Sequence, residues 1–234
     1  MIKSRSHFIV VAFVLSMFSF FTYASGGYSL SKTRLVVNEG KEAGIKIQNS
    51  SDVPLLIQSW VSFYNKDDAS LYGGKPPFVV TPPLYRQGTG DNYVKVIPTG
   101  NAFPKDKESV FFFNAKAIPA SAEKDKNSNK VSFSYTNMIK LFYRPNGLPG
   151  VSTEAYKQLT FSRTGSTLTA KNPTAYYITF SKISVGGREL DNIRDMVPPF
   201  GSHAYPLPSG TSGSIDYQTI DEFGGVTPSI KVSF

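Results

Sequence analysis

Between Ser31 and Tyr143, apolar residues recur with a period of two in short runs that close on Gly, Pro, Asn or Asp. No helical period holds anywhere in that stretch. Such a chain can bury its apolar side chains only as β-strands, whose successive residues face opposite sides of a sheet. Ser31 to Val37 leads into the turn Asn38-Glu39-Gly40. Ala43, Ile45 and Ile47 then alternate with Gly44, Lys46 and Gln48. Leu55, Ile57, Val61 and Phe63 share one face of the next run, and Leu56, Gln58 and Trp60 share the other. Pro82-Pro83 interrupts Phe78 to Gln87, marking a bend or an edge. Val94 and Val96 alternate with Tyr93, Lys95 and Ile97, and Val110 to Lys116 is apolar enough to predict a strand covered on both faces. Lys130 to Tyr143 completes seven predicted strands, with Val131, Phe133 and Tyr135 alternating with Ser132, Ser134 and Thr136. An all-β, immunoglobulin-like sandwich is the architecture this pattern predicts.

Pro145 to Gly150 (PNGLPG) is the clearest break in the chain, and the strand pattern resumes after it. Gln158 to Arg163, Thr167 to Lys171, Ala175 to Val185, Ser214 to Ile220 and Ile230 to Phe234 are predicted strands, with Gly186-Gly187 as a hairpin turn. The expected organisation is two tandem sandwiches, residues 25–146 and 147–234. The second is small enough to lean on the first.

Residues 1–24 read as an address. Lys3 and Arg5 precede an apolar run, Phe8 to Phe21, and Thr22-Tyr23-Ala24 offers small side chains before a cut ahead of Ser25. The run is short for a membrane span, so a cleaved signal peptide is expected, with an uncleaved anchor as the alternative. Cleavage removes Lys3 and Arg5 and no acidic residue, taking the net charge from +8 to +6. The remaining lysines are scattered, and an exported chain has no call for nucleic acid. The chain has no cysteine. It therefore enters an oxidising compartment without disulfides, and thiolate chemistry is excluded.

Catalysis finds little to work with. His203 is the one histidine beyond the leader, read as a solvated turn residue between Gly201 and Pro206. Gly210 to Ser214 lacks the last glycine of a nucleophile elbow. Phosphate-loop, zinc-protease and EF-hand spacings are missing. The neighbouring carboxylates Asp67-Asp68, Asp216 and Asp221-Glu222 are explained by loop solvation. No enzyme, metal or cofactor is expected.

TRLVVNEG (Thr33 to Gly40), PLLIQSWV (Pro54 to Val61), FVVTPPLYR (Phe78 to Arg86), ESVFFFNAKAIP (Glu108 to Pro119) and IKLFYRP (Ile139 to Pro145) occur in this order. They are followed by NPTAYYIT (Asn172 to Thr179), VPPFG (Val197 to Gly201) and TIDEFGG (Thr219 to Gly225). On these motifs the mature chain resembles the periplasmic pilus-assembly chaperones, which consist of two immunoglobulin-like domains. The resemblance implies a periplasmic protein that binds pilin or fimbrial subunits, each a sandwich lacking its last strand. It would complete them by donating a strand and deliver them to an outer-membrane usher. It further implies that Arg34 and Lys140 hold the terminal carboxylate of the subunit, through charge-assisted hydrogen bonds that fix the register of pairing. Val131, Phe133 and Tyr135 match the strand that fills the subunit's groove; Tyr135 departs from the aliphatic residue usual there. Glu108, Arg144 and Glu222 match a buried ion network that fixes the interdomain angle, Glu222 standing where aspartate is usual. The same resemblance implies that an exposed donor edge is guarded, when free, by a self-capped dimer or by disorder, for which the polar Ser121 to Asn129 is a candidate.

A fimbrial subunit or sugar-binding adhesin is the alternative, with Tyr176 and Tyr177 as candidate ring-stacking aromatics. Against it, Ser25 to Ser29 is too short for the donor arm a subunit carries.

Overall fold

The computed structural model describes residues 27–65, 74–100, 103–120 and 131–233. The leader, Asp67-Asp68, the Ser121 to Asn129 segment and Lys130 lie outside them. Two β-sandwiches follow one another along the chain.

Among the described residues the first has nine strands, against the seven predicted. One sheet orders β1 (Tyr28–Leu30), β3 (Ala43–Asn49), β7 (Gly90–Pro98) and β5 (Phe78–Thr81) as β1-β3-β7-β5. The other orders β2 (Arg34–Asn38), β9 (Tyr135–Arg144), β8 (Ser109–Pro119), β4 (Leu55–Phe63) and β6 (Leu84–Gln87) as β2-β9-β8-β4-β6. Pro82-Pro83 falls where the chain leaves β5 in one sheet and enters β6 in the other, because proline cannot donate to a ladder. The predicted run Phe78 to Gln87 is therefore two strands. Ile45, Ile47, Val94 and Val96 from one sheet meet Leu35, Ile57, Phe111, Phe113 and Leu141 from the other, all fully buried. Phe78, Phe103, Phe111 and Tyr143 fill one end, with Phe103 stacked on Tyr143 at 3.6 Å. Roughly 1.5–3 kcal/mol for each fully buried large side chain makes this the main stabilising term.

β9 begins at Tyr135, not at Lys130 as the alternation predicted. Its ladder with β8 runs from Ser109↔Tyr143 to Ala117↔Tyr135. The next core-facing position, Phe133, would oppose Pro119, which has no N–H to give. On the other side, β2 pairs with β9 only from Lys140 onward. Among the described residues, Val131 to Ser134 thus have no strand partner.

The second sandwich packs a sheet of β10 (Thr160–Thr164), β11 (Thr167–Lys171) and β14 (Ser202–Pro206) on one of β13 (Arg188–Glu189), β12 (Phe180–Val185), β15 (Ile215–Thr219) and β16 (Ile230–Val232). Phe180, Tyr205 and Tyr217 anchor its core, and the Tyr217 hydroxyl donates to Tyr156 O at 2.9 Å in the 3-10 helix Ser152–Gln158. Gly186 and Gly187, both at positive φ, form the two-residue turn between β12 and β13.

Two expectations are corrected here. His203 lies in β14, opposite Ala170, with its ring 4.7 Å from Tyr205, not in a solvated turn. The predicted strand from Ala175 begins only at Phe180, because buried Asn172 organises the preceding loop. Its Nδ2 donates to Tyr176 O at 2.7 Å and Pro198 O at 3.1 Å, and its Oδ1 accepts from Thr174 N and Oγ1. A side chain supplies the partners that a neighbouring strand otherwise would.

Candidate functional site

β8 is covered on both faces as predicted. Phe111, Phe113, Ala115 and Ala117 point into the first core, while Val110 meets Phe142 and the second domain's Met196. The two domains therefore share a small apolar contact, joined by Val36, Tyr64 and Tyr177. Tyr176 is buried, donates its hydroxyl to Gly150 O and lies 5.3 Å from the Arg144 guanidinium; Tyr177 packs against Phe142. Neither aromatic is free to stack on a sugar, which corrects the adhesin reading.

Beside this contact, Arg144 stands between two carboxylates from different places in the sequence. Its Nε donates to Glu108 at 2.8 Å and its Nη1 to Glu222 at 2.6 Å. Glu108 also accepts from Tyr177 N at 2.9 Å, and Glu222 from the Ser152 hydroxyl at 2.9 Å. The longer glutamate at 222 thus reaches both partners. Burial pushes the Glu108 carboxyl above its usual range, against the pull of Arg144 and the Tyr177 N–H. Burial opposes the charge on Arg144, but Glu108 and Glu222 outweigh it and hold the guanidinium above its ordinary value.

Arg34 opens β2 and Lys140 lies directly opposite it in β9, in the one parallel pairing among the described strands. Arg34 is 8% exposed; its Nη1 donates to Ile220 O of the second domain at 3.0 Å, and its Nε is buried without a partner. Burial lowers its pKa, against Asp221 and Glu108. Lys140 is half-buried, and its pKa is pushed down to about 8 by burial and by Arg34, against the attraction of Asp195. A cavity of about 40 Å³ lies between the domains, lined by Arg34, Glu108, Phe142, Arg144, Tyr176 and Glu222 among others. The structure so brings the two anchor candidates together and places the ion network behind them.

Val131, Phe133 and Tyr135 are 81%, 66% and 64% exposed. By the period of two they continue the face of β9 that carries Ile139, Leu141 and Tyr143 into the core. Their apolar surface extends the core face beyond the end of its own sheet. From Tyr135 to Ile139, one edge of β9 has no neighbour among the described strands, since its pairing with β2 starts at Arg34↔Lys140. Sequence reasoning missed Ile220, because its backbone carbonyl leaves no side-chain signal.

Family models match both domains: the N-terminal domain of PapD, a pili and flagellar-assembly chaperone, over residues 27–149, and the C-terminal domain of the pili assembly chaperone PapD over residues 154–231. The chain belongs to the PapD-like pilus-assembly chaperone family. It is 37% identical over 228 residues to the chaperone protein LpfB of Salmonella typhimurium strain LT2, covering 94% of this chain and 95% of that one. Its fold matches the Escherichia coli chaperone DraB with a TM-score of 0.76 and 32% identity, over 90% of this chain and 99% of DraB. It also matches a structure of the Salmonella enterica SafA pilin in complex with the SafB chaperone, with a TM-score of 0.79 and 27% identity, over 89% and 96% of the two chains.

Proposed function

We propose that this protein is a non-enzymatic periplasmic chaperone that captures fimbrial subunits on the open edge of β9 and passes them to an outer-membrane usher. Its membership of the family and its likeness to SafB, solved with a pilin, support the subunit as client. The observation that carries the reading is the alignment of the open edge with the cation pair. Residues Tyr135 to Ile139 offer backbone groups unpaired among the described residues, Val131, Phe133 and Tyr135 offer apolar side chains, and the row ends at Arg34 and Lys140. A strand added there has main-chain bonds for affinity and alternating pockets for specificity.

The direction of the guest strand follows. It occupies the row that β2 fills farther on, and its last residue meets Arg34, so it runs towards Arg34. β9 runs the same way, from Tyr135 to Lys140, and the pairing is parallel. Arg34 Nε, buried and without an acceptor among the described residues, and the Lys140 ammonium, likewise unpaired among them, suit a terminal carboxylate. Glu108, Arg144 and Glu222 act in this reading as the brace that sets the angle between the domains. In the absence of a client the same edge suits capping by a second copy of the chain.

The test is co-purification from periplasm with a fimbrial subunit. The Arg34→Ala/Lys140→Ala double variant should keep its fold by circular dichroism and lose the subunit. Full retention of the subunit would refute the anchor.

A further inference from the structure

One large apolar side chain near the cation pair has no role in the account above. Phe223 is 79% exposed, yet every residue around it is fixed. Asp221 Oδ1 accepts from Phe223 N at 2.9 Å and Gly225 N at 2.8 Å, while Asp221 N donates to Gly225 O at 2.8 Å and Gly224 N to Asp221 O at 3.1 Å. Glu222 is held by Arg144 and Ser152. Gly224 adopts φ +90°, and a Cβ there would run into Thr33 Oγ1, so the turn is pressed against the residue that precedes Arg34. One residue before the turn, Ile220 O receives Arg34 Nη1. The turn is built on both sides to rest beside Arg34, and Phe223 is the side chain it leaves in water.

We infer that Phe223 is a second-domain contact for the last side chains of the guest strand whose carboxylate Arg34 and Lys140 receive. The inference rests on the capture mode proposed above. The guest's row ends at Arg34, so its final residues arrive beside Thr33 and the Asp221 to Gly225 turn. An aromatic ring on a fixed turn offers a large apolar surface and loses little conformational freedom on contact. The occupant is therefore an apolar or aromatic side chain at the end of the subunit. The contact also gives the second domain a direct part in choosing clients, besides its hold on Arg34.

The test uses the full-length mature protein and a synthetic peptide with the last residues of a subunit that co-purifies with it, titrated by calorimetry. Phe223→Ser should weaken binding about tenfold, with an unchanged circular dichroism spectrum because the ring is exposed. Replacing the peptide's terminal side chain with glycine should weaken binding to the wild type and erase the difference between the wild type and Phe223→Ser. Equal affinity of wild type and Phe223→Ser, with binding lost in Arg34→Ala/Lys140→Ala, would overturn the inference and leave the capture mode standing. Undiminished binding by that double variant would remove both. A Phe223→Ser protein that binds the peptide normally but fails to hand subunits to the usher would assign the ring to another surface and overturn the inference.

Discussion

Arg34 and Lys140 are direct Cα partners across the parallel ladder of β2 and β9, and only Arg34 is tethered, through Nη1 to Ile220 O. Among the described residues Lys140 has no hydrogen bond or ion pair, which leaves its ammonium open to the guest carboxylate of the proposed capture mode. Two cations side by side repel each other until an anion arrives, and that repulsion sharpens the preference for a carboxylate.

The first prediction concerns pH. Lys140 titrates near 8 in the free protein, held down by burial and by Arg34. A carboxylate binds the protonated ammonium, so affinity for a subunit's terminal peptide should be full below pH 8 and fall above it, by up to about tenfold per pH unit. Lys140→Arg should flatten that fall, since a guanidinium stays charged. The same depression acts on stability with the opposite sense. Between about pH 8 and the ordinary lysine range the unfolded chain holds more protons, so this residue makes the fold more stable as pH rises. Calorimetric titration of the peptide from pH 6.5 to 9.5 checks the first, urea denaturation over the same range the second.

The second concerns the brace. Arg144→Met leaves Glu108 buried without its cation and should cost about 3–5 kcal/mol of unfolding free energy in urea denaturation. Adding Glu108→Gln removes the stranded charge and should recover a large part of the loss. A single variant as stable as the wild type would mean that the ion pairs contribute nothing.

A third prediction isolates the side chains proposed to fill the subunit's groove. Phe133→Asp alters no contact within the protein's own core, so the melting temperature should hold while subunit capture in pull-down drops at least tenfold. Roughly 1.5–3 kcal/mol is lost with the buried ring, and a charge is placed in an apolar groove. Val131→Asp should show the same sign.

The fourth tests Asn172. Asn172→Ala strands the carbonyls of Tyr176 and Pro198. Each orphaned buried group costs roughly 1–3 kcal/mol, and each kcal/mol lowers the midpoint about 2–4 °C in a chain of this size. A thermal melt should show a clear drop.

Most of the strands were legible because their two faces differ in polarity. β14 was not, since of its residues only Tyr205 is deeply buried and His203, next to proline and glycine, reads as a turn. β1 was missed for its three-residue length, and the 3-10 helix because only Ala155 and Tyr156 are buried in it. The identities of Arg34, Lys140, Glu108, Arg144 and Glu222 came through motifs. Their proximity is set by pairing between distant segments, which no local pattern encodes. The end of β9 was misjudged for a similar reason: alternation marks which residues can form a strand, while Pro119, elsewhere in the chain, decides where the ladder stops.

Pro119 has a consequence for turnover. Since the host's own described ladder ends before Val131, a visitor that settles there breaks none of its strand pairings and leaves none torn when it departs. On the proposed capture mode, loading and unloading then follow the relative fit of successive partners and need no re-pairing of the host's described strands between rounds.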